Sequence, residues 1–176
     1  RASKFLNNKQ QLILKISDYN TKGVTGINND ESRWHNLIKK KGSSTPQGNV
    51  GGTFGIGKHA PFGCSAFRTI FYYTQNEEGE SGYIWKSILT THGNPKKQAG
   101  GYFCDTKESG NEIETLGITD ADSSFKPSFI NRTTVGTDIC ILGYDEPLGE
   151  PWNVILSREI MENYFLAIYD VKYRPL

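Results

Sequence analysis

The sequence lacks the features that mark a membrane protein, a disulfide framework or a zinc site. Among its 176 residues, no apolar run approaches the roughly 20 residues that cross a bilayer. Three cysteines, Cys64, Cys104 and Cys140, are widely spaced without a CxxC pair, and the three histidines are scattered. Such spacing favours reduced thiols over disulfides or zinc ligands. The sequence therefore predicts a cytoplasmic protein with no membrane partner.

Charge of one sign is also scarce. The chain has 20 Lys and Arg against 19 Asp and Glu, a formal net charge of +1. Bulk charge therefore gives no support to general nucleic-acid binding. Hydrophobic residues make up 36% and charged residues 22%, as in globular proteins. No repeat or break in composition divides the chain, so we expect a single domain over residues 1–176.

Hydrophobic patterning predicts a chain of both strands and helices. Residues 11–18 alternate as a half-buried strand that ends at Asp18. Further stretches rich in β-branched and aromatic residues predict strands over 68–74, 83–91, 101–105 and 137–144. The order predicts an α+β fold, a two-layer sandwich of a mixed, mostly antiparallel sheet with helices on one face.

Three helices are expected around these strands. One spans residues 31–40 with Asp30 as its N-cap, and a second runs from Lys58 to about Phe67. The third covers residues 151–168 and carries one apolar stripe. The aromatic run 71–73 and two tryptophans are assigned to the core; the tryptophans are Trp85 and Trp152.

Residues 42–63 hold seven of the nineteen glycines. Within them, Gly52 to Lys58 have the GxxxxGK spacing of a P-loop. A P-loop also needs a leading strand, a Ser or Thr after the Lys and a regular helix, but here a loop leads in, His59 follows and Pro61 sits in the first turn. The glycines fit better a loop that presents backbone amides to an anion at a helix start. A P-loop phosphotransferase and a loop without ligand stay open as alternatives.

Three separated features occur in a characteristic order. A strand ends at Asp18, with Gly23 close behind; the glycine box Gly52–Gly57 precedes a helix; and Gly136-Thr137 opens a later strand. Together they resemble the nucleotide site of the GHKL ATPases, the superfamily of gyrase B, MutL, histidine kinases and heat-shock chaperones. The residue pattern from Asn131 to Gly143 most resembles microrchidia-type and related bacterial members. The resemblance covers nearly the whole chain.

The resemblance implies a Bergerat-type fold that binds ATP with Mg²⁺, with residues 20–57 as the ATP lid. In it Asp18 accepts a hydrogen bond from the adenine amine, Thr137 completes the base side, and the glycine loop clamps the phosphates. Asn20 stands where the family has a glycine, and Asn tolerates unusual backbone angles. The implied nucleotide-binding residues are Asp18, Asn20, Gly23, Gly51, Gly52, Thr53, Phe54, Gly55, Ile56, Gly57, Lys58 and Thr137.

The family's catalytic Glu and metal-binding Asn lie on a helix before the Asp-bearing strand. Residues 1–8 contain no Glu, so we expect that N-terminal helix to be incomplete here, with the catalytic pair upstream of residue 1. No catalytic residue or metal ligand is assigned within the chain. The intact protein is expected to hydrolyse ATP, coupled to conformational change or to homodimerisation through flanking regions, for an unidentified protein or DNA client.

Two further alternatives stay open. One is a nucleotide-binding interaction module that does not hydrolyse ATP. The other is a β-rich binding domain with no nucleotide.

Overall fold

The computed structural model describes residues 7, 10–29, 31–40, 57–91, 93–95, 99–110, 112–119, 127–144, 146 and 149–170. Residues 41–56 of the expected lid lie outside the described residues, and they include six predicted phosphate-binding positions: Gly51, Gly52, Thr53, Phe54, Gly55 and Ile56. The chain divides into two compact units, Arg1–Tyr144 and Asp145–Leu176. Each unit is described by itself.

The first unit is built on a six-stranded sheet. Its strands are β1 (Ile13–Ser17), β2 (Thr69–Gln75), β3 (Ser81–Ile88), β4 (Gly100–Phe103), β7 (Ile118–Thr119) and β8 (Gly136–Leu142). The order is β1-β8-β2-β3-β4, with β7 beside β3. Every pairing among the described residues is antiparallel. The α+β class and the antiparallel character are therefore as predicted, without the parallel pairs that a mixed sheet would add.

The strands β2, β3 and β8 are apolar on both faces because both faces of the sheet are covered. On one face pack α1 (Arg33–Ile38) and α2 (Ala60–Cys64), through Trp34, Ile38 and Phe62. The sheet residues of that cluster are Ile70, Tyr72, Ile84 and Ile141. The opposite face carries Phe71, Tyr73, Tyr83 and Cys140, and it packs against Phe129 and Ile130. The aromatic run of β2 is therefore core, as predicted.

The N-cap of helix α1 lies two residues after the predicted one. Ser32, not Asp30, is the N-cap, and its Oγ accepts a hydrogen bond from the His35 amide at 3.0 Å. A serine oxygen satisfies one of the amides that a helix start leaves unpaired. At the other end, two buried or partly buried lysines donate to main-chain carbonyls in or just after the last turn: Lys58 to Asn36 and Lys40, and Lys86 to Ile38. Cations suit that end of the helix dipole.

The helix predicted from Lys58 to about Phe67 is shorter than expected. A 3₁₀ turn over Gly57–His59 leads into α2, which ends at Cys64. Pro61 fits the first turn because a proline there gives up only an amide that has no partner. Gly63 then weakens the continuation.

A two-stranded hairpin, β5 (Asp105–Ser109) and β6 (Glu112–Leu116), was not predicted. Its composition explains the omission, because Asp, Glu, Lys and Ser are depleted in strands. Gly110 at its tip has φ +61°, which glycine adopts without strain.

The second unit contains α3 (Trp152–Tyr169), preceded by Pro151 as N-cap. The helix itself is as predicted, but the single apolar stripe is not. Trp152, expected in the core, is 40% exposed, and apolar side chains outside the stripe are exposed as well: Val154, Met161, Phe165, Leu166 and Tyr169. No helix in the described parts of the chain is long and apolar enough to span a membrane.

Candidate functional site

Asp18 and Thr137 meet where β1 ends beside β8. The last ladder pair is Ser17 with Asp138, and the Asp18 amide still donates to the Thr137 carbonyl at 3.1 Å. In a regular antiparallel pair the Thr137 amide would donate back to the Asp18 carbonyl. Instead it donates to Oδ1 of the Asp18 side chain. The carboxylate thus replaces its own main chain as acceptor, which ends the strand and fixes the side chain.

Gly136 makes this close approach possible. Its φ is +144°, and a Cβ there would lie 2.6 Å from the Asp18 carbonyl oxygen and 2.7 Å from Oδ1. No side chain fits at that distance, so only glycine can precede Thr137 in this arrangement. The Gly-Thr pair singled out in the sequence therefore has a physical reason at each position.

The loop after Asp18 has left-handed backbone conformations at Asn20 and Gly23. Asn20 has φ +56°, the left-handed conformation expected where it replaces a glycine. Gly23 has φ +65°, and a Cβ on it would lie 2.5 Å from the Gln75 carbonyl oxygen. The hydroxyl of Thr21 donates to Oδ2 of Asp18 at 3.2 Å. Three predicted residues, Asp18, Asn20 and Gly23, are thus close along one turn beside Thr137.

Thr74 belongs to the same place, although the sequence offered no signal for it beyond a polar residue at the end of an apolar strand. It pairs with Thr137 across β2 and β8, and the two hydroxyl oxygens are 3.4 Å apart. The Thr74 hydroxyl also accepts the Val24 amide at 2.8 Å. It therefore ties the loop after Asp18 to the strand that carries Thr137.

A buried ion pair lies directly beneath this turn. Arg132 donates to Oδ1 of Asp138 from Nε at 3.0 Å and from a terminal nitrogen at 2.7 Å. The Lys15 ammonium lies 3.1 Å from the other Asp138 oxygen. Burial alone would raise the pKa of Asp138, but hydrogen bonds from Arg132, Ser17 and Lys15 outweigh it and hold that pKa below its ordinary value. Arg132 and Asp138 thus form a buried structural salt bridge.

Lys58 does not lie free for a phosphate. Its ammonium donates to the Asn36 carbonyl at 2.6 Å and to that of Lys40, and burial lowers its pKa. Gly57 is exposed, with open space where a Cβ would stand. Of the predicted phosphate side, only these two residues are described.

The arrangement offers a carboxylate acceptor of fixed orientation. The Asp18 side chain is 46% exposed, Oδ1 is engaged by Thr137, and Oδ2 receives one hydroxyl donor. A carboxylate oxygen accepts about two hydrogen bonds, so Oδ2 can accept another from a ligand N–H. Within the described residues, no group of three or more His, Cys, Asp and Glu side chains could hold a metal ion.

Comparison of the chain with protein-family models, with curated proteins and with solved structures finds no match. The case for function therefore rests on the residues and their geometry.

Proposed function

We propose that this chain binds the adenine base of ATP at Asp18 and Thr137, as the nucleotide-binding part of a GHKL-type ATPase with a Bergerat-type fold. The observation that carries the proposal is the Asp18 carboxylate seated on the Thr137 amide across Gly136. These residues are 119 positions apart in the sequence. The resemblance alone had already grouped them as one site.

The chemistry of this carboxylate suits adenine. An ionised Asp only accepts hydrogen bonds, and the exocyclic amine of adenine is a donor at the position where guanine has a carbonyl oxygen. A hydrogen bond to a charged group contributes about 1.5–3 kcal/mol. Oδ2 of the half-exposed Asp18 side chain supplies the acceptor.

The proposed fold is also supported by the face of the sheet on which the base-binding and phosphate-binding segments lie. Counting alternately from Leu14, the side chain of Asp18 falls on the face that α1 and α2 cover. The glycine-rich segment leads directly into α2 through Gly57–His59. Base-binding and phosphate-binding segments are thus both attached to elements of the same face.

The proposed cofactor Mg²⁺ is not matched by a ligand set in the described residues. We therefore derive no catalytic step through it. ATP hydrolysis is part of the proposal, but no described residue is assigned as its general base or metal ligand. Three unpaired cysteines suit a reducing compartment, and we assign the protein to the cytoplasm.

The contacts of Lys58 argue against the P-loop alternative. A P-loop lysine serves as a point charge on the phosphates, whereas this one is engaged by two carbonyls at the end of α1. Lys58 is accordingly the weakest member of the proposed nucleotide-binding set.

Calorimetric titration with ATP and Mg²⁺ tests the proposal. We expect wild type to bind and Asp18→Asn to bind roughly 10–100-fold more weakly, because the amide presents a donor or loses the charge. Asp105→Asn, on the hairpin β5–β6 and outside the proposed nucleotide-binding residues, is the matched control and should bind as wild type does. Equal affinity of Asp18→Asn and wild type would refute the adenine-binding role.

A further inference from the structure

Arg132 does more at this turn than neutralise Asp138. One of its terminal nitrogens donates to the Asp18 main-chain carbonyl at 2.7 Å and to the Thr137 carbonyl at 3.1 Å. We propose that Arg132 is a positioning residue for base recognition: it binds the Asp18 carbonyl and lies 3.8 Å from Oδ1 of the same residue, and so it holds both groups where the Thr137 amide donates to the carboxylate and the carboxylate is aimed at the base. The inference rests on the proposed function and adds a residue that determines its specificity.

The hydrogen bonds between Asp18 and Thr137 depart from the regular antiparallel pattern. The Asp18 amide bonds to the Thr137 carbonyl, so the reciprocal bond from the Thr137 amide to the Asp18 carbonyl would be the regular partner. Arg132 holds that carbonyl instead, and the amide turns to Oδ1. With Oδ1 fixed, the orientation of Oδ2 is fixed as well. Without Arg132, the ladder pair can close and release the carboxylate.

The guanidinium is itself held on every side. Asp138 accepts from Nε and from one terminal nitrogen. The other terminal nitrogen donates to the carbonyls of Thr134 at 3.3 Å and Val135 at 3.2 Å. The side chain is 2% exposed, and the Tyr19 ring lies 5.0 Å from its central carbon. The planar fork has five N–H donors for these six contacts, so at least one N–H is shared between two acceptors, and the three donors of a lysine ammonium could not hold the same set.

The consequence is a specificity for the 6-amino group. A carboxylate of fixed orientation accepts a ligand N–H, and it loses that hydrogen bond when the ligand lacks the N–H. A mobile carboxylate can turn to solvent and loses most of that discrimination. Arg132 should therefore affect which purine binds more than how tightly the rest of the nucleotide binds.

The experiment compares ATP with purine riboside triphosphate, which is ATP without its 6-amino group. Wild type should prefer ATP by about tenfold or more. In Arg132→Lys, which keeps the charge beside Asp138, that preference should fall to about threefold or less, with the affinity for purine riboside triphosphate nearly unchanged. Arg68→Lys is the control, since Arg68 donates to the Phe62 carbonyl on α2 and has no contact with the turn.

Gly136→Ala gives an independent perturbation that removes no charge. The new Cβ would lie 2.6 Å from the Asp18 carbonyl and against Arg132, so it separates the two groups, and the preference for ATP should fall likewise. A structural role alone would change the melting temperature and both affinities together, leaving their ratio as in wild type. If both variants fold and keep the wild-type ratio, the inference about Arg132 is wrong while the proposed function stands. If wild type binds neither nucleotide, the proposed function itself fails.

Discussion

Asp138 is a fully buried carboxylate that stays charged beneath the candidate site. Its side chain is 1% exposed, and two cations flank it: Arg132 at 2.7 Å and Lys15 at 3.1 Å. Their hydrogen bonds, with one from Ser17, keep its pKa below its ordinary value despite burial. An acid whose pKa is lowered by folding stabilises the folded state above its unfolded pKa. That contribution is lost as the pH falls through the folded value.

This pair yields the first prediction. The free energy of unfolding of wild type should decrease as the pH falls below about 4, and Asp138→Asn should show a shallower decrease over the same range. At neutral pH the variant should be about 3 kcal/mol less stable, because it leaves the Arg132 charge buried without its partner. Urea denaturation across pH measures both effects.

Glu77→Gln is the control, since Glu77 forms an exposed pair with Lys22 and exposed pairs contribute at most about 1 kcal/mol. An acid slope for Asp138→Asn that equals the wild-type slope would contradict the account of the buried pair.

The cysteines give a second prediction. Burial raises the pKa of Cys140 to about 12, so almost no thiolate forms at pH 8 and the side chain is also inaccessible. Cys64 is exposed. We expect a thiol reagent at pH 8 to modify Cys64 rapidly and Cys140 only after denaturant is added. Cys64→Ser should abolish the rapid phase; rapid modification of Cys140 in the folded protein would show that β8 is not buried as described.

At the scale of elements, Lys58 could either stabilise the end of α1 or bind a phosphate, and these two roles give different results on mutation. Its two carbonyl contacts predict that Lys58→Met lowers the free energy of unfolding by about 1–2 kcal/mol. The affinity for ATP should fall by less than tenfold. Chemical denaturation and calorimetry measure the two quantities on the same variant.

Lys107→Met, at an exposed position of strand β5, is the matched control and should leave the free energy of unfolding and the affinity for ATP unchanged. Loss of ATP binding in Lys58→Met with unchanged stability would favour the P-loop alternative over the proposed site.

The elements that could be predicted from the sequence are those with a strong local signal. The strands β2, β3 and β8 are dense in β-branched and aromatic residues, and the pattern at Pro151 located α3. The hairpin β5–β6 could not be predicted, because its residues show neither the helical nor the strand period of hydrophobicity. The cap of α1 was misassigned because Asp30 and Ser32 are equally good cap residues, and only the structure shows which oxygen meets the His35 amide.

The candidate site was predictable in part. Asp18 and Thr137 were paired through the order of motifs, and their contact is present. The roles of Arg132 and Thr74 depend on which strands are neighbours, and no local pattern encodes that.

At the scale of the whole first unit, strand order creates the site. The strand β8, the last one among the described residues, lies between β1 and β2, so it brings Gly136 and Thr137 to the end of β1. A sheet ordered by sequence would pair β1 with β2 and leave Asp18 without Thr137. We therefore propose that the base of ATP binds at the edge of the sheet where β1 ends beside Asp18, β8 begins with Gly136 and Thr137, and β2 ends near Thr74.

Amide resonances in a titration with ATP and Mg²⁺ test that claim most directly. We expect the largest shifts at Thr137 and at Gly23 and Val24, which line the turn after Asp18, with little change at Gly110 at the tip of the hairpin β5–β6. Asp18→Asn should remove the shift of Thr137. Saturable ATP binding that shifts the hairpin but leaves Thr137 and Gly23 unmoved, or no shift at any concentration, would contradict it.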